Sequence, residues 1–392
     1  MKSLQNKIFL FFVLLLLMVQ AIAFWTLYSG NKNQEAAEIS NRLTTAKTIF
    51  TELFDRRLDY LAAFAETAAK DYGLKEVFKD KFILGTAVST NTLSGYNTEQ
   101  LKLIAQEFNA ITAENDFKWE MLRPSTNNWY WDLADKFVEF GHENNMQMVG
   151  HALVWHSQIP DNVFFDSKNQ ILPRTYLLAM MEEHINTVVG RYRGKIHVWD
   201  VVNEAFKQGN WRKSHWYNGI GEDYFEYAFR FAANADPQAQ LIYNDYGMDD
   251  INKQQRVIEV INNCKRKGVK IDGIGMQSHL HLDGPSLQEI EHSILAYANA
   301  GLRVHITELE IDVLPKIEDY GNADIGNKYD YREELDPYKK GLPLAMEKKL
   351  AQRYEEVFKL YTKHSDKIDR VTLWGTSDDE SWKNDFPIKG RR

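Results

Sequence analysis

The sequence predicts an α/β fold in which eight parallel strands and the helices between them close into a (β/α)8 barrel. Three observations carry this prediction. Short runs rich in β-branched residues recur eight times between residues 82 and 374, and amphipathic helical stretches separate most of them. About 320 residues, the length of this region, is enough for eight such units. The glycine-rich first turn that an open doubly wound sheet usually carries is absent from the sequence.

The predicted strands are 82–88, 109–113, 146–151, 196–203, 240–244, 271–277, 303–308 and 370–374. The predicted helices have apolar residues three or four positions apart, and examples are 133–145, 175–192, 223–235, 253–267, 286–300 and 346–363.

Composition limits the classes of function. The 392 residues are 44% hydrophobic and 13% aromatic, enough for one large domain plus an appendage. The net charge of −8 argues against nucleic acid as the main partner, whereas a neutral polysaccharide needs no opposing charge. Cys264 is the single cysteine, which excludes an intramolecular disulfide and CxxC metal sites, and its thiol is expected to be inert.

Residues 1–28 are predicted to be a transmembrane anchor or a signal peptide. Two lysines precede the apolar run 8–28, which is long enough to span a lipid bilayer. Ala21-Ile22-Ala23 is also typical of a signal-peptide cleavage site. We favour the uncleaved anchor because the apolar run continues beyond that site. In both cases the barrel is expected outside the cytoplasm, either membrane-anchored or, after cleavage, secreted.

Residues 29–72 are predicted to be a helical linker or stalk, and residues 73–392 the barrel domain. The spacing of a coiled coil is followed by Ile39, Leu43, Ala46, Phe50 and Leu53, although a small helical pair fits as well. Residues 1–72 resemble the leading segment of membrane-bound bacterial sensory proteins, including cyclic-dinucleotide signalling proteins. The stalk is a candidate for pairing, whereas the barrel is expected to be monomeric.

Polar and aromatic side chains follow seven of the predicted strands, at the end where barrels of this type place their chemistry. Glu204 ends the fourth strand in VWDVVNEAF (198–206), and Glu308 ends the seventh in VHITELEID (304–312). Two carboxyl groups facing one cleft, one protonated and one ionised, are the machinery for breaking a glycosidic bond. Stability alone does not explain seven such strand ends, because this fold builds its stability at the opposite face and in the barrel layers.

Seven sequence blocks resemble, in the right order, the signatures of glycoside hydrolase family 10, the endo-β-1,4-xylanases. They lie within residues 75–390 and read TAENDFKWE, GHALVWHSQIP, WDVVNEAF, YNDY, GIGMQSHL, ITELEID and WGTSDDESW. The resemblance implies a retaining endo-1,4-β-xylanase that needs no cofactor and acts on internal linkages of xylan and xylo-oligosaccharides. It makes Glu204 the general acid/base and Glu308 the nucleophile, with the two carboxyl groups about 5–5.5 Å apart.

The resemblance also implies how the sugar is held. Asn203 would bind the 2-hydroxyl of the sugar being cleaved, and His279 would hold Glu308 in place. Hydroxyls on the non-reducing side of the cut would be bound by Glu114, Asn115, Lys118, His151 and Gln277. Trp374 and Trp382 would wall the same subsites and crowd a hydroxymethyl group, which favours xylose over glucose.

Structural explanations stay open for several neighbours. Trp155 and His156 fit packing as well as substrate contact, and Asp200 is expected to make a hydrogen bond behind the catalytic strand end. Residues expected to brace loops or to be hydrogen-bonded structural groups are Tyr243, Asn244, Asp245, His281 and His305. The histidines show no HExxH or comparable spacing, so no metal site is expected.

The chain departs from the family pattern at two places. Glu310 stands where the family usually has Asp, so the extra methylene either displaces the support of His279 or is absorbed by a small shift, and Asp312 is a candidate substitute. The family pattern continues beyond Gly390, so we expect a barrel without its last helix and with marginal stability. The loop 315–345 fits either a rim for leaving-group subsites or a solvated insertion.

Two other functions remain open at this point. A membrane-tethered sensor that binds xylo-oligosaccharides with little catalysis fits the leader, although both glutamates are present. A related barrel that cuts mixed glucans fits less well because of the paired tryptophans Trp374 and Trp382.

Overall fold

The computed structural model describes residues 73–389, except for 96, 126, 316–329, 340 and 387. The predictions made for residues 1–28 and 29–72 and for most of the loop after the seventh strand therefore lie outside the described residues. Within that described part, no helix is both long and apolar enough to cross a membrane.

Eight parallel strands form a closed barrel. They are β1 (Ile83–Val88), β2 (Ala110–Ala113), β3 (Gln147–Val154), β4 (Val198–Asn203), β5 (Gln240–Asp245), β6 (Gly273–Met276), β7 (Arg303–Asp312) and β8 (Ile368–Leu373). Each strand pairs with its sequence neighbour, and β8 pairs with both β7 and β1, which closes the cylinder. All eight predicted strands are confirmed. The two largest differences are β3 and β7, which run beyond their predicted ends through irregularities in the ladder.

A helix follows each of the first seven strands and covers the barrel from outside. These helices are α1 (Thr98–Glu107), α2 (Asp132–Glu143), α3 (Arg174–Arg191), α4 (Tyr224–Ala235), α5 (Ile251–Arg266), α6 (Leu287–Asn299) and α7 (Leu344–Lys363). Six were predicted to within two residues. The sequence analysis missed α1 because this helix buries only Gln100 and Ile104, too few positions for an apolar stripe.

Shorter elements lie between these units. They are the α-helices Thr90–Leu93, Trp119–Leu122 and His215–Ile220, the hairpin Phe206–Lys207 and Asn210–Trp211, the strand His279–His281, and the 3-10 helices Asp161–Val163, Glu333–Leu335, Asp378–Glu380 and Trp382–Asn384. The last two follow β8, and the second of them begins with Trp382.

The inside of the barrel changes from apolar to polar along the strands. Val149, Val198 and Ile242 form an apolar cluster there. Two residues further along each of these strands stand His151, Asp200 and Asn244, because side chains on one face of a strand recur every second residue. These polar groups occupy the carboxyl-terminal end of the barrel, and the alternation of each strand therefore delivers them to one place.

Candidate active site

Glu308, on β7, accepts a hydrogen bond on each of its carboxylate oxygens. The side-chain amide of Asn244 donates to Oε1 at 2.8 Å, and Nε2 of His279 lies 3.1 Å from Oε2. Burial by itself raises the pKa of Glu308, but the hydrogen bond from His279 and the charges of His151 and His279 hold it below its ordinary value. Glu308 is therefore an ionised carboxylate at neutral pH.

Glu204, directly after β4, has its pKa shifted in the opposite direction. Its Oε1 accepts hydrogen bonds from the amides of Asn203 and Gln277, both at 3.2 Å. Its Oε2 is buried and has no hydrogen-bond partner among the described residues. Burial raises the pKa of Glu204, and the charge of Glu308 adds to the rise, against the lowering effect of Arg212. Since two amides already donate to Oε1, a proton on this acid would lie on Oε2.

The backbone at Glu204 leaves the strand abruptly. Its φ of 56° lies in the left-handed region, which costs a non-glycine residue about 1–3 kcal/mol. Two hydrogen bonds hold this turn: the Glu204 N–H donates to the Asn244 carbonyl at 2.9 Å, and the Ala205 N–H donates to the Tyr243 hydroxyl at 3.0 Å. The acid is thus fixed to the neighbouring strand β5.

Asn244 connects the two glutamates. Its amide nitrogen donates to Glu308 and also, at 3.0 Å, to Oδ1 of Asn203, and the amide nitrogen of Asn203 in turn donates to Glu204. Its own Oδ1 accepts from the Thr307 hydroxyl at 2.6 Å. A Cβ at Gly275 would stand 2.3 Å from Asn244 Oδ1, so only glycine leaves room for this amide. The prediction that Asn244 braces a loop was therefore incomplete, since it contacts the predicted nucleophile.

Glu310 supports His279, which resolves the departure from the family pattern. The short strand His279–His281 pairs with β7 so that His279 lies beside Glu310, and His279 Nδ1 is 2.6 Å from Glu310 Oε1. Burial lowers the pKa of His279, but the charges of Glu310 and Glu308 outweigh it and raise the pKa to about 9. The imidazolium thus donates to both glutamates. The substitute role considered for Asp312 is not needed, because Asp312 binds Lys383 instead.

His151 is held on the other side of Glu308. Its Nδ1 lies 2.7 Å from Asp200 Oδ2, which confirms the expected hydrogen bond of Asp200 behind the catalytic strand end. The ring of Trp374 stands edge-on to His151, with 5.6 Å between the ring centres, and edge-on to His279 at 6.5 Å. Trp382 flanks His279 at 5.3 Å. Both predicted wall tryptophans therefore lie at the open end of the barrel beside Glu308.

The groups after β2 approach the same place. The Lys118 ammonium donates to Asn115 Oδ1 at 2.9 Å and lies 4.8 Å from the centre of the Trp155 ring. Burial lowers the pKa of Lys118, against the charges of Glu114, Glu308 and Glu204, which raise it. Burial raises the pKa of Glu114, because burial disfavours the charged form of a carboxyl group as it does that of an amine. The structure thus gathers all the predicted site residues at this end of the barrel.

Two residues of this site were not predicted as contacts of Glu204. Arg212 donates from Nε to the Glu204 carbonyl at 3.0 Å and holds Nη2 4.0 Å from Glu204 Oε2. His156 Nδ1 is 3.7 Å from the same oxygen. Arg212 follows Glu204 by eight positions after the Phe206–Trp211 hairpin, so no sequence pattern revealed its contact with the carboxyl group.

Outcomes differ among the residues expected to be structural. Tyr243 and Asp245 hydrogen-bond each other, and Lys253 pairs with Asp245 at 2.7 Å, as expected of bracing groups. His281 Nε2 bonds the Leu314 carbonyl at 2.7 Å. The expectation for His305 was wrong: neither ring nitrogen has a hydrogen-bond partner in the described residues. Burial and two nearby arginines hold the pKa of His305 well below its ordinary value, so it is tolerated as a neutral ring.

Cys264 is buried, and burial raises the pKa of its thiol to about 11, which agrees with an inert thiol. No group of three or more His, Cys, Asp or Glu side chains in the described ranges could hold a metal ion.

A large groove elsewhere on the barrel does not coincide with this site. A groove of about 980 Å³ is lined by Gln147, Met148 and Tyr192 and lies at the opposite end of the barrel. Of the two acidic residues in its lining, Asp135 and Glu139, Asp135 is already paired with Arg191 and Tyr192. The two glutamates with oppositely shifted pKa values mark the site instead.

A (β/α)8 barrel whose open end holds one carboxyl group with a raised pKa and one with a lowered pKa is the arrangement expected of a glycoside hydrolase. The comparison with known families agrees. The chain belongs to glycosyl hydrolase family 10, whose model matches residues 73–391.

The chain is also similar to proteins described as endo-1,4-beta-xylanases. Endo-1,4-beta-xylanase A of Xylanibacter ruminicola is 40% identical over 332 residues, which cover 84% of this chain and 90% of that protein. Endo-1,4-beta-xylanase of Geobacillus stearothermophilus is 38% identical over 325 residues, covering 81% and 91%. The solved structure of a family 10 endoxylanase retrieved from a sugarcane soil metagenome is 53% identical, with a TM-score of 0.79, and the match covers 81% of this chain and 93% of that one.

Proposed function

We propose that the chain is a retaining endo-1,4-β-xylanase that hydrolyses internal linkages of xylan by double displacement. The observation that carries this proposal is the contrast between the two glutamates. Glu308 receives hydrogen bonds on both oxygens, whereas Oε2 of Glu204 accepts no hydrogen bond from the described residues and the pKa of Glu204 is raised. The names of the similar xylanases support the choice of xylan as the substrate.

In the first step, the Glu308 carboxylate attacks the anomeric carbon while Glu204 gives its proton to the departing glycosidic oxygen. The bond from that carbon to the leaving group breaks as the ester to Glu308 forms. Hydrogen bonds from Asn244 and His279 hold the attacking carboxylate in its orientation and stabilise its charge. Asn203 stands between the glutamates, where its amide fits the 2-hydroxyl of the sugar.

In the second step, the Glu204 carboxylate takes a proton from water, and the water oxygen attacks the anomeric carbon and releases Glu308. The electrostatics suit this change of role. The charge of Glu308 raises the pKa of Glu204 in the resting enzyme. Once Glu308 is an uncharged ester, that contribution is lost, which lowers the pKa of Glu204 and favours its role as a base.

The remaining residues bind the substrate in this proposal. Lys118, Asn115 and Glu114 form one polar group after β2, and His151 and Gln277 contribute from β3 and the end of β6. Trp374 and Trp382 present rings on the side of His279, where they would exclude the hydroxymethyl group of a glucose unit. A sensor without catalysis is less well supported, since binding alone does not require pKa shifts of opposite direction at Glu204 and Glu308.

The proposal also covers the amino-terminal segment, residues 1–28. The run 8–28 would anchor the chain in a lipid bilayer, with the barrel outside the cytoplasm. Alkaline carbonate extraction of membranes from cells that produce the full chain tests this. The anchored form stays in the pellet, and recovery of all xylanase in the soluble extract, with a shortened amino terminus, would instead establish cleavage.

A product profile tests the activity. The wild-type chain is expected to release mixed oligosaccharides from glucuronoxylan and almost no reducing sugar from cellulose. The matched variants Glu308→Ala and Glu204→Gln should reduce xylan hydrolysis to background while circular dichroism stays unchanged. Wild-type activity in Glu308→Ala would mean that another group is the nucleophile.

A further inference from the structure

Glu310 lies one step further along the same face of β7 as Glu308, because side chains two residues apart on a strand point the same way. Its carboxylate receives more than the bond from His279. The indole nitrogen of Trp382 donates to it, with 3.1 Å to Oε1 and 3.2 Å to Oε2. The Lys383 ammonium lies 3.2 Å from Oε1. One carboxylate therefore joins the β6 side of the site to the segment after β8.

We propose that Glu310 is a positioning residue that fixes the Trp382 ring and the His279 imidazolium together, so that the sugar wall and the nucleophile share one support. The proposal rests on the proposed function in one respect, namely that Trp382 walls a sugar subsite.

The charges make this support strong. Burial raises the pKa of Glu310, but the charges of Lys383 and His279 outweigh it and lower the pKa to about 2. Glu310 is therefore ionised throughout the neutral range, and hydrogen bonds to an ionised acceptor are about twice as strong as neutral ones. Lys383 is itself held by Asp312 at 3.3 Å, which fixes its position next to Trp382.

The length of the side chain matters for this arrangement. His279 and Trp382 reach the carboxylate from different elements, the strand His279–His281 and the 3-10 helix Trp382–Asn384. The aspartate that the family usually has at this position is one methylene shorter. In Glu310→Asp the carboxylate keeps its charge and can remain with His279, but it withdraws from the indole nitrogen.

Nuclear magnetic resonance of the ¹⁵N-labelled indole groups tests the contact without substrate. Trp382→Phe identifies the Trp382 signal. We expect its N–H to exchange with solvent roughly tenfold or more faster in Glu310→Asp than in the wild type, because a bond to an ionised acceptor is lost. Lys383→Met, which leaves the acceptor in place, should keep the slow exchange, and the Trp374 signal should not move in either variant. An unchanged Trp382 exchange rate in Glu310→Asp overturns the proposal.

Binding and turnover give the functional readout. Glu310→Asp should weaken xylotriose binding, measured by calorimetry, about as much as Trp382→Phe, and the double variant should bind no more weakly than either single one. Glu310→Asp should weaken binding more than it lowers kcat, whereas Glu310→Gln, which removes the charge facing His279, should lower kcat more strongly than Glu310→Asp does. Multiplicative losses in the double variant contradict a shared support. If the proposed function itself is wrong, the wild-type chain will not hydrolyse xylan, and this result is distinct from the outcomes above.

Discussion

The Asn244 amide lies 2.8 Å from Oε1 of Glu308 and 3.0 Å from Oδ1 of Asn203, so one side chain on β5 spans the gap between the predicted nucleophile and the residue beside the acid. Both of its amide hydrogens are used, and its oxygen is occupied by Thr307. Asn244 thus fixes the orientation of Glu308 while leaving the charge of the carboxylate intact.

We predict that Asn244→Ala lowers kcat/KM on xylan by roughly tenfold to a hundredfold, since a hydrogen bond to a charged group contributes about 1.5–3 kcal/mol. Asn244→Asp should be more damaging at low pH, because a second carboxyl group beside Glu308 raises the pKa of the nucleophile. Steady-state kinetics across pH measure both effects. Asn218→Ala, on an exposed part of the helix His215–Ile220, is the control, and an equal loss there would remove the specific role of Asn244.

The pH dependence of kcat/KM should be bell-shaped, with its limbs set by the two glutamates. The pKa of Glu308 is lowered, so the acidic limb, where the nucleophile becomes protonated, falls below pH 4.5. The pKa of Glu204 is raised, so the basic limb, where the acid loses its proton, lies above pH 4.5. Activity is therefore retained between the two values and lost on either side.

Removing Arg212 tests the basic limb. Its charge lowers the pKa of Glu204, so Arg212→Met should move the basic limb to higher pH and leave the acidic limb in place. Arg230→Met, on the outer face of α4, should shift neither limb. A basic limb that stays fixed or moves to lower pH in Arg212→Met would show that this guanidinium does not act on the acid.

Gly150 and Gly190 offer a matched test of packing. A Cβ at Gly150, on β3 beside His151, would stand 2.1 Å from the buried ring of Trp199. Gly150→Ala should therefore lower the free energy of unfolding by about 1–3 kcal/mol, as overpacking does. At Gly190, near the end of α3, a Cβ meets no atom within 4 Å, so Gly190→Ala should raise it by up to about 1 kcal/mol through helix propensity. Urea unfolding of both variants measures the difference, and a Gly150→Ala protein as stable as the wild type contradicts the close packing.

Much of this site could be predicted because strand ends are local features. The runs that end at Glu204 and Glu308 show their β-branched pattern directly, and barrel closure then brings both ends to one opening. The contact between Asn244 and Glu308 could not be read in the same way, since it depends on the register of β5 against its neighbours and on the space left by Gly275.

The Glu310 position shows the same limit. The sequence indicated that an extra methylene stands beside His279, but not which way the chain would absorb it. The structure places Trp382 and Lys383, more than seventy residues later, against that carboxylate. Their arrival depends on the path of the chain after β8, for which the sequence offered no periodic pattern.

The stereochemistry of the first product tests the double displacement most directly. Proton nuclear magnetic resonance can follow the anomeric signals in the first minutes of xylotetraose hydrolysis, before mutarotation mixes them. Two inversions, at Glu308 and then at water, should release the β-anomer first, and Glu308→Ala should release neither. Initial appearance of the α-anomer, or continued hydrolysis by Glu308→Ala, would contradict the assignment of Glu308 as a covalent nucleophile.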